Sequence, residues 1–316
     1  MSLTLRAKRL AWRALKPFRR QRPQPPTRYQ HWSIGIYTGP GPLELRPDPA
    51  AGGPVLTGPE CRGTRTRYVA DPFLMRQGDG WLLFFEMLNL DHGRGTIGLA
   101  HSHDGQTWQF VREILRERFH LSYPYVVEWD GERYMVPETN EAGAVRLYRA
   151  TGFPEVWTYE QDLIKAPYAA DATPVFYNGR WWMFVEMGQN YQFDTLRLFH
   201  ADDLRGPWTE HPASPIITGD PLRARPGGRP FVHDGRLVRL AQAGRPVYGA
   251  ALHAFAISEL TAETYREEAI GAGPLFRGSG FGWNAIGMHH LDAHPLGDGR
   301  WIGAVDGCCW GMLPGE

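Results

Sequence analysis

The chain has 316 residues, of which 42% are hydrophobic and 13% aromatic, and its 34 Lys and Arg residues balance 34 Asp and Glu residues. This length can bury a large core, and the balanced charge argues against a nucleic-acid-binding protein, whose phosphate contacts need a basic surface. No run of 18 apolar residues occurs, so the sequence predicts no transmembrane helix. The three cysteines, Cys61, Cys308 and Cys309, favour reduced thiols and hence a cytoplasmic location.

Residues 1–30 differ from the rest of the chain in charge. Between Met1 and Arg22 there are eight Arg or Lys residues and no acidic residue, and the apolar residues fall on one face of a helix. We predict a basic amphipathic helix over residues 1–22, which could lie on an anionic inner membrane face, and a linker over residues 21–30. A basic tail and a targeting segment are the alternatives. No uninterrupted apolar core follows the charges, which argues against a secretory signal.

A hairpin phrase then recurs five times. Each copy contains a short strand, a Gly-containing turn and an apolar strand that ends in Glu, Gln or Asp. The copies cover residues 70–86, 123–138, 171–186, 227–242 and 289–306. In the first three copies the closing acid follows Asp71, Tyr123 or Asp171 by 15 residues. A strand repeat of roughly fifty residues predicts an all-β protein, a five-bladed β-propeller with one blade per copy.

The blades are predicted to have four strands. The first three copies continue with two further strands, and a Trp (Trp108, Trp157 or Trp208) begins the last one, where it can pack between blades. Only ten residues follow Asp306 in the fifth copy, which are too few for two strands. The unassigned strand His31–Tyr37 is therefore predicted to complete the fifth blade and to close the ring. Residues 31–316 would then form one propeller domain.

The candidate site lies where the five copies converge. The first strand of each blade lines the central channel, so its opening residues should meet at one mouth, and the antiparallel second strand returns the closing acids there. We predict three catalytic residues, namely Asp71, Asp171 and Glu138. We predict eight substrate-binding residues, namely Glu86, Tyr123, Glu186, Arg225, His289, His290, Asp292 and Asp306. Paired carboxylates are the groups that glycosidic bond chemistry needs.

Other cofactor signals are weak. The run His289-His290-x-Asp292-x-His294 meets no strict metal-ligand motif, so no metal site is assigned. The run is still compatible with one cofactor, a hydrated divalent cation beside one imidazole in the central channel. The sequence has no Walker-type or dinucleotide-binding glycine loop and no nucleophile elbow.

Four phrases carry a resemblance to known families. They are Val69-Ala70-Asp71-Pro72-Phe73, His120-Leu121-Ser122-Tyr123-Pro124, Arg225-Pro226-Gly227-Gly228, and Trp283-Asn284 with Met288-His289-His290. They resemble the five-bladed propellers of glycoside hydrolase family 43 and the arabinanase, levansucrase and invertase superfamily. A closer resemblance, over residues 30–310, is to the N-terminal propeller domain of glucosamine inositolphosphorylceramide transferases and its bacterial stand-alone relatives.

In the hydrolases, the resemblance implies a base from a blade-one Asp, pKa tuning by a blade-three Asp, and an acid from a blade-four Glu. Asp71 and Asp171 match the first two roles, but Arg225 stands where the Glu would open blade four. Either Glu138 replaces that acid, or the leaving group is a nucleotide or phosphate that departs without protonation, helped by Arg225 or a metal.

These implications favour an enzyme, although the sequence leaves this open. The expected activity is glycosyl transfer in cytoplasmic glycan or glycolipid synthesis, with a sugar donor as substrate, membrane contact through residues 1–22 and no nucleic acid. The alternatives are a glycoside hydrolase and a non-catalytic sugar-binding propeller.

Overall fold

The computed structural model of the protein describes residues 27–48, 50 and 53–313. The helix predicted for residues 1–22 lies outside the described residues. The chain divides into two compact units, one of residues 31–309 and one of residues 1–30 and 310–316. In the smaller unit, the described residues are 27–30, which begin one strand, and 310–313, which end another. Among the described residues, no helix has the length and apolar character needed to cross a membrane.

The larger unit is a five-bladed β-propeller, as the sequence predicts. The chain begins with two strands that belong to the last blade, β1 (Thr27–Gly39) and β2 (Arg46–Pro47). Blade 1 contains β3 (Thr66–Gln77), β4 (Gly80–Asn89), β5 (Arg94–Ser102) and β6 (Gln109–Leu115). Blade 2 contains β7 (Ser122–Trp129), β8 (Glu132–Glu138), β9 (Ala144–Gly152) and β10 (Val156–Lys165). Blade 3 contains β11 (Ala170–Tyr177), β12 (Arg180–Glu186), β13 (Leu196–Ala201) and β14 (Thr209–Glu210).

The last two blades depart from this pattern. Blade 4 contains β15 (Phe231–His233), β16 (Arg236–Gln242), β17 (Ala251–Leu260) and β18 (Tyr265–Ala269), with β19 (Phe276–Arg277) also paired to β17. Blade 5 contains β20 (Leu291–Pro295) and β21 (Trp301–Leu313), followed outward by β1 and β2. The N-terminal strand therefore completes the last blade, which confirms the predicted closure. Because β1 begins at Thr27, the last four residues of the predicted linker are strand.

Apolar side chains fill the five contacts between neighbouring blades. The cluster between blades 5 and 1, for example, joins Ile34 and Ile302 to Leu83. Trp108, Trp157 and Trp208 each contribute to one of these clusters. Their indole N–H groups donate to the carbonyl oxygens of Gly105, Pro154 and Leu204 at 3.2, 2.8 and 3.0 Å. The recurring Trp is thus a packing element of the ring, and burial between blades supplies its stabilisation.

The inner strands of blades 1–3 share a kink near their first residues. Asp71, Tyr123 and Asp171 have φ angles of +50°, +46° and +48°, and the pairing register shifts at each of them. A bulge of this kind redirects a side chain, and left-handed backbone at a residue other than Gly is strained and found mainly at functional sites. The 15-residue spacing in the sequence therefore corresponds to a repeated backbone feature at one end of the ring.

Blade 4 enters the ring differently from this pattern. Its inner strand was predicted from Gly227 but begins at Phe231. The reason is that the two backbone hydrogen bonds of Gly227 go to different blades. Its N–H donates to Leu240 O of blade 4 at 3.2 Å, and its carbonyl oxygen accepts from Leu291 N–H of blade 5 at 3.0 Å. Gly228 forms a parallel bridge with Leu291 at φ +128°, and a Cβ there would lie 1.9 Å from the Leu291 carbonyl oxygen. Only glycine permits this approach.

Candidate active site

The closing acids return to the same end of the ring as the kinks. Glu86 pairs with Ala70, Glu138 with Ser122 and Glu186 with Ala170, each one residue before a kink. We call this end of the channel the mouth. The pairing follows from the antiparallel hairpin, which brings the last residue of the second strand beside the first residue of the first.

One cluster at the mouth joins blades 5 and 1. His289 Nδ1 lies 2.8 Å from the Asp306 carboxylate, and His289 Nε2 faces Asp71 Oδ1 at 3.8 Å. The same Asp306 carboxylate accepts the backbone N–H groups of Asp71 and His289, both at 3.1 Å. The Trp32 ring, from β1, stacks on His289 with 4.1 Å between centroids. The imidazole is therefore fixed between two carboxylates and an indole.

The ionisation of this cluster follows from burial and charge. Burial raises the pKa of Asp71 well above its ordinary value, and the nearby Asp171, Glu86 and Asp306 carboxylates raise it further, against the opposing effect of His289. Burial opposes charge on His289, but the Asp306 and Asp71 carboxylates together outweigh it and raise the pKa of the imidazole. Asp306 has a lowered pKa because His289 outweighs its burial. Asp71 is therefore the carboxyl of this cluster that most readily holds a proton.

A second cluster centres on Arg225, from the irregular entry to blade 4. Its Nε donates to Asp171 Oδ2 at 2.6 Å, and its Nη2 donates to Glu138 Oε2 at 3.2 Å. Gln242 Nε2 donates to the same Asp171 oxygen at 2.8 Å. Burial and the Asp171 carboxylate raise the pKa of Glu138 well above its ordinary value, although Arg225 opposes them. One guanidinium thus joins the predicted catalytic residues of blades 2 and 3.

Aromatic side chains cover Arg225. Its guanidinium carbon lies 4.4 Å from the ring centroid of Phe193 and 5.2 Å from that of Tyr248, at cation–π distance. Tyr248 also meets His289 edge-on, with 5.4 Å between centroids. The side chains of Asp71, Glu138 and Arg225 are only 8%, 13% and 10% exposed. These three side chains are therefore largely shielded from solvent by their neighbours.

Glu86 and Glu186 lie at the edges of the mouth. Glu86 Oε1 faces His120 Nε2 at 3.3 Å and the Tyr68 hydroxyl at 3.5 Å. Glu186 Oε1 instead accepts the backbone N–H groups of Gly188 at 2.5 Å and Thr195 at 3.4 Å, at the two ends of the loop that carries Phe193. Burial raises the pKa of Glu186 to about 7. Glu186 thus fixes the base of a covering loop.

Three predicted substrate-binding residues lie deeper in the ring. Tyr123 is fully buried, and its hydroxyl accepts the Gly228 N–H at 2.8 Å and lies 2.9 Å from Thr173 Oγ1. Asp292 is also fully buried, where it accepts from Arg229 Nε at 2.7 Å and from Leu74 N–H at 2.5 Å. His290 packs edge-on against Phe73, and burial lowers its pKa to about 4. Tyr123 and Asp292 therefore contact neighbouring blades, whereas His290 Nδ1 lies 3.7 Å from Asp71 Oδ1 of the first cluster.

Sequence reasoning missed five residues of the site: Trp32, His120, Phe193, Gln242 and Tyr248. Two of them could have been found from the sequence. His120 begins the phrase His120-Leu121-Ser122-Tyr123-Pro124, and Gln242 closes the fourth hairpin where other copies have an acid. Trp32, Phe193 and Tyr248 carry no such signal, since they come from the closing strand and from irregular loops outside the repeat.

The kind of ligand that the mouth can bind depends on which of its polar groups already have partners. The Arg225 guanidinium donates to the Asp171 and Glu138 carboxylates, so its positive charge is balanced. The Gln242 Oε1 atom is buried without a hydrogen-bond partner among the described residues, and the carboxylates of Asp71, Glu86 and Glu138 add further acceptors. The mouth therefore suits a ligand rich in hydrogen-bond donors, such as the hydroxyls of a sugar, more than an anionic ligand.

The fold defines a class of protein, the five-bladed β-propellers, and solved propellers of glycoside hydrolases share it. The catalytic domain of a family 62 α-L-arabinofuranosidase from Coprinopsis cinerea matches with a TM-score of 0.59 and 11% identity, over 88% of this chain and 96% of that one. A family 117 glycoside hydrolase from Zobellia galactanivorans matches with a TM-score of 0.53 and 16% identity, over 76% and 84%. At these identities the likeness concerns the fold alone.

The sequence places the chain in one family. Residues 27–308 match the family described as glucosamine inositolphosphorylceramide transferase 1, N-terminal, and the chain belongs to it. It is 40% identical over 296 residues to glucosamine inositolphosphorylceramide transferase 1 of Oryza sativa subsp. japonica, covering 87% of this chain and 40% of that protein. The protein of the same name from Arabidopsis thaliana is 35% identical, over 87% and 39%. The chain thus spans about two fifths of the length of these curated relatives.

Proposed function

We propose that this propeller is a sugar-active enzyme domain that makes or breaks a glycosidic bond at the mouth of its channel. The observation that carries the proposal is the gathering of Asp71, Asp171 and Glu138 at that mouth, with Arg225 joining the last two. Pairs of carboxyl groups on either side of a glycosidic bond can transfer a proton and stabilise the positive charge that develops on the sugar.

The proposed roles follow from the two clusters. Glu138, whose pKa is raised by burial and by Asp171, is the proton donor to the leaving oxygen. Arg225 orients Glu138 and Asp171 through its hydrogen bonds. Asp71, held by the backbone of Tyr123 and facing His289, acts in its ionised form on the sugar or on the attacking hydroxyl. Its raised pKa makes that ionised form a stronger base. Glu86 and His289 are proposed to contact sugar hydroxyls at the edges of the mouth.

The pairing of Arg225 bears on the choice between the two mechanisms that the sequence left open. A phosphate or nucleotide leaving group needs a cation to receive its charge. Arg225 already balances Asp171 and Glu138, and the acceptors around it would repel an anion. We therefore favour the route in which Glu138 replaces the missing blade-four acid.

Among glycosidic reactions, we favour glycosyl transfer to a glycan or glycolipid acceptor, at the cytoplasmic face of a membrane. The support is that the curated relatives are named transferases. Because the chain spans about two fifths of their length, their named activity can also reside in the part that the match leaves out. Glycoside hydrolysis is the second candidate, favoured by the paired carboxyl groups at the mouth.

A divalent cation in the channel stays a proposal. Asp71, His289 and Asp306 offer ligand atoms that all lie within 4.8 Å of one another, and carboxylate and imidazole donors suit Mn²⁺ or Zn²⁺. Both ring nitrogens of the neighbouring His290 lack hydrogen-bond partners among the described residues. A bound ion would add positive charge to a mouth rich in carboxylates. Metal analysis of purified protein tests this, and a chain without stoichiometric metal contradicts it.

The function is tested by offering the purified chain a panel of aryl glycosides and nucleotide sugars, with and without glycan and lipid acceptors. We expect turnover of at least one class, read as transfer to the acceptor or as release of reducing sugar. Transfer without release identifies a transferase, and release without acceptor dependence identifies a hydrolase. If calorimetry detects sugar binding but no substrate is turned over, the protein is a non-catalytic sugar-binding propeller and the proposed enzymatic function is contradicted.

A further inference from the structure

Phe281 is the most exposed large apolar side chain of the described residues, at 78%. It occupies the tip of the loop before β20, between Gly280 and Gly282, which have φ angles of +86° and +68°. The loop is fixed internally: Ser279 N–H donates to Asn284 O and Gly280 N–H donates to Ala285 O, both at 3.0 Å. The phenyl ring is therefore exposed at the tip of a loop whose backbone is fixed by its own hydrogen bonds.

A second loop with an exposed apolar residue packs beside it. Val247 is 43% exposed and follows the end of β16, so it lies at the mouth end of blade 4. The two loops touch through their backbones, since a Cβ on Gly287 would lie 2.2 Å from the Gly249 carbonyl oxygen. Tyr248, the neighbour of Val247, covers Arg225 at the mouth.

The charged residues within the two loop segments are all basic. Arg245 and Arg277 are both exposed, and residues 241–258 and 270–291 contain no acidic residue, although acids and bases balance over the whole chain. We call Arg245, Val247, Arg277 and Phe281 the apical patch. Aromatic and aliphatic tips flanked by cations are typical of surfaces that enter the interface of an anionic bilayer.

We propose that the apical patch docks on an anionic lipid bilayer. Phe281 and Val247 enter the boundary between headgroups and acyl chains, and Arg245 and Arg277 contact lipid phosphates. Because Tyr248 lies between this patch and Arg225, docking places the mouth next to the bilayer surface. The proposal concerns a surface outside the catalytic residues, so it stands or falls separately from the proposed sugar chemistry.

The test is sedimentation of the full-length chain with phosphatidylcholine vesicles, with and without phosphatidylserine. We expect binding only to the phosphatidylserine vesicles, weakening as salt is raised, and a drop of about tenfold or more in Val247→Asp/Phe281→Asp. Arg245→Glu/Arg277→Glu should lose most of the phosphatidylserine dependence. The matched control is Val232→Asp, since Val232 is 51% exposed at the opposite end of the same blade.

The outcomes separate the patch from other parts of the chain. Circular dichroism and thermal unfolding check that each variant is folded, and Phe281→Ser replaces the double variant if that one is not. Wild-type binding retained in every patch variant would overturn the proposal and assign lipid binding to another segment. A wild-type chain that stays in solution with both vesicle types would overturn it as well.

Discussion

At the residue scale, Arg225 is the cation that joins two of the predicted catalytic carboxylates of the mouth. The resemblance to glycoside hydrolases implies an acid where this chain has Arg225, yet the guanidinium is not an isolated cation. It donates to Asp171 and Glu138 and lies under two aromatic rings. A buried charge of this kind is tolerated because each partner satisfies the other. Under the proposed mechanism, Glu138 takes the acid role that the resemblance assigns to blade four.

Removing the guanidinium should destabilise the fold. In Arg225→Ala, Glu138 and Asp171 both lose their guanidinium partner, although Asp171 keeps the Gln242 amide as a donor, so we expect a loss of about 3 kcal/mol in the free energy of unfolding. Chemical denaturation at neutral pH measures it. Arg300→Ala is the control, because Arg300 is 65% exposed in its pair with Asp298, and it should change stability by less than about 0.5 kcal/mol. Equal midpoints for Arg225→Ala and wild type would contradict the buried pairing.

Glu186 should give the protein a pH-dependent stability. Its pKa rises from 4.5 to about 7 on folding, so between these values the folded state binds more protons than the unfolded state. Stability therefore falls as pH rises through this window, by up to about 3 kcal/mol from this group. Glu186→Gln removes the titration and should flatten the dependence, measured by denaturation from pH 5 to pH 8.

The control for this prediction is Glu263→Gln, at an exposed position, which should retain the wild-type dependence. Asp71 and Glu138 also have raised pKa values and titrate in the same direction, so the difference between wild type and Glu186→Gln is the informative quantity. A difference that does not change with pH would show that Glu186 has no raised pKa.

At the scale of elements, β1 determines whether the ring is closed. It supplies the third strand of blade 5, and its Ile34 and Ile36 are buried against blade 1. Its Trp32 also supports His289 at the mouth. One strand therefore serves both stability and the site, which is why the N-terminal part of the propeller cannot be treated as an appendage.

Deleting residues 1–40 should prevent folding. The truncated chain loses the third strand of blade 5 and exposes the edge of β21, so we expect aggregation or a loss of the cooperative thermal transition. Circular dichroism and size-exclusion chromatography measure both. The control is deletion of residues 1–26, which leaves β1 intact and should retain the transition. A folded, monomeric 41–316 chain would contradict the closure by β1.

Much of the fold could be predicted from sequence because its determinants are local and repeated. The Gly-containing turns and the 15-residue spacing from Asp71 to Glu86 each report on a single hairpin, and a Trp marks the start of the fourth strand in the first three copies. The site could be predicted only in part. Position in a hairpin says that Tyr123 and Asp292 lie near the channel, but not that neighbouring blades bury them completely.

The remaining parts depend on contacts between distant segments. His289 is stacked by Trp32, more than 250 residues earlier in the chain, and Arg225 is covered by Phe193 and Tyr248 from two irregular loops. No periodic pattern marks these residues, since loop conformation and the closing of the ring bring them together. The path of Gly227 and Gly228 is likewise set by blade 5.

At the scale of the whole molecule, the ring brings five unequal openings to one place. Three carry kinked residues in an equivalent backbone conformation, one carries Arg225, and one carries the His289 cluster. Regular packing between blades fixes the frame, and the irregular residues at one end form the candidate site. The apical patch lies at the same end, so the proposed lipid contact and the proposed sugar site would act on one side of the molecule.

The most direct measurement is turnover by Asp71→Asn and Glu138→Gln on whichever glycoside or sugar donor the wild type uses. Both substitutions keep the side-chain shape but remove the ionisable group, and Asp298→Asn in an exposed turn is the control. We expect folded variants whose kcat falls by about 100-fold or more, because each lacks a proton-transferring or charge-stabilising group, while the control keeps wild-type activity. Wild-type turnover in both variants would contradict a catalytic site at the mouth of the propeller.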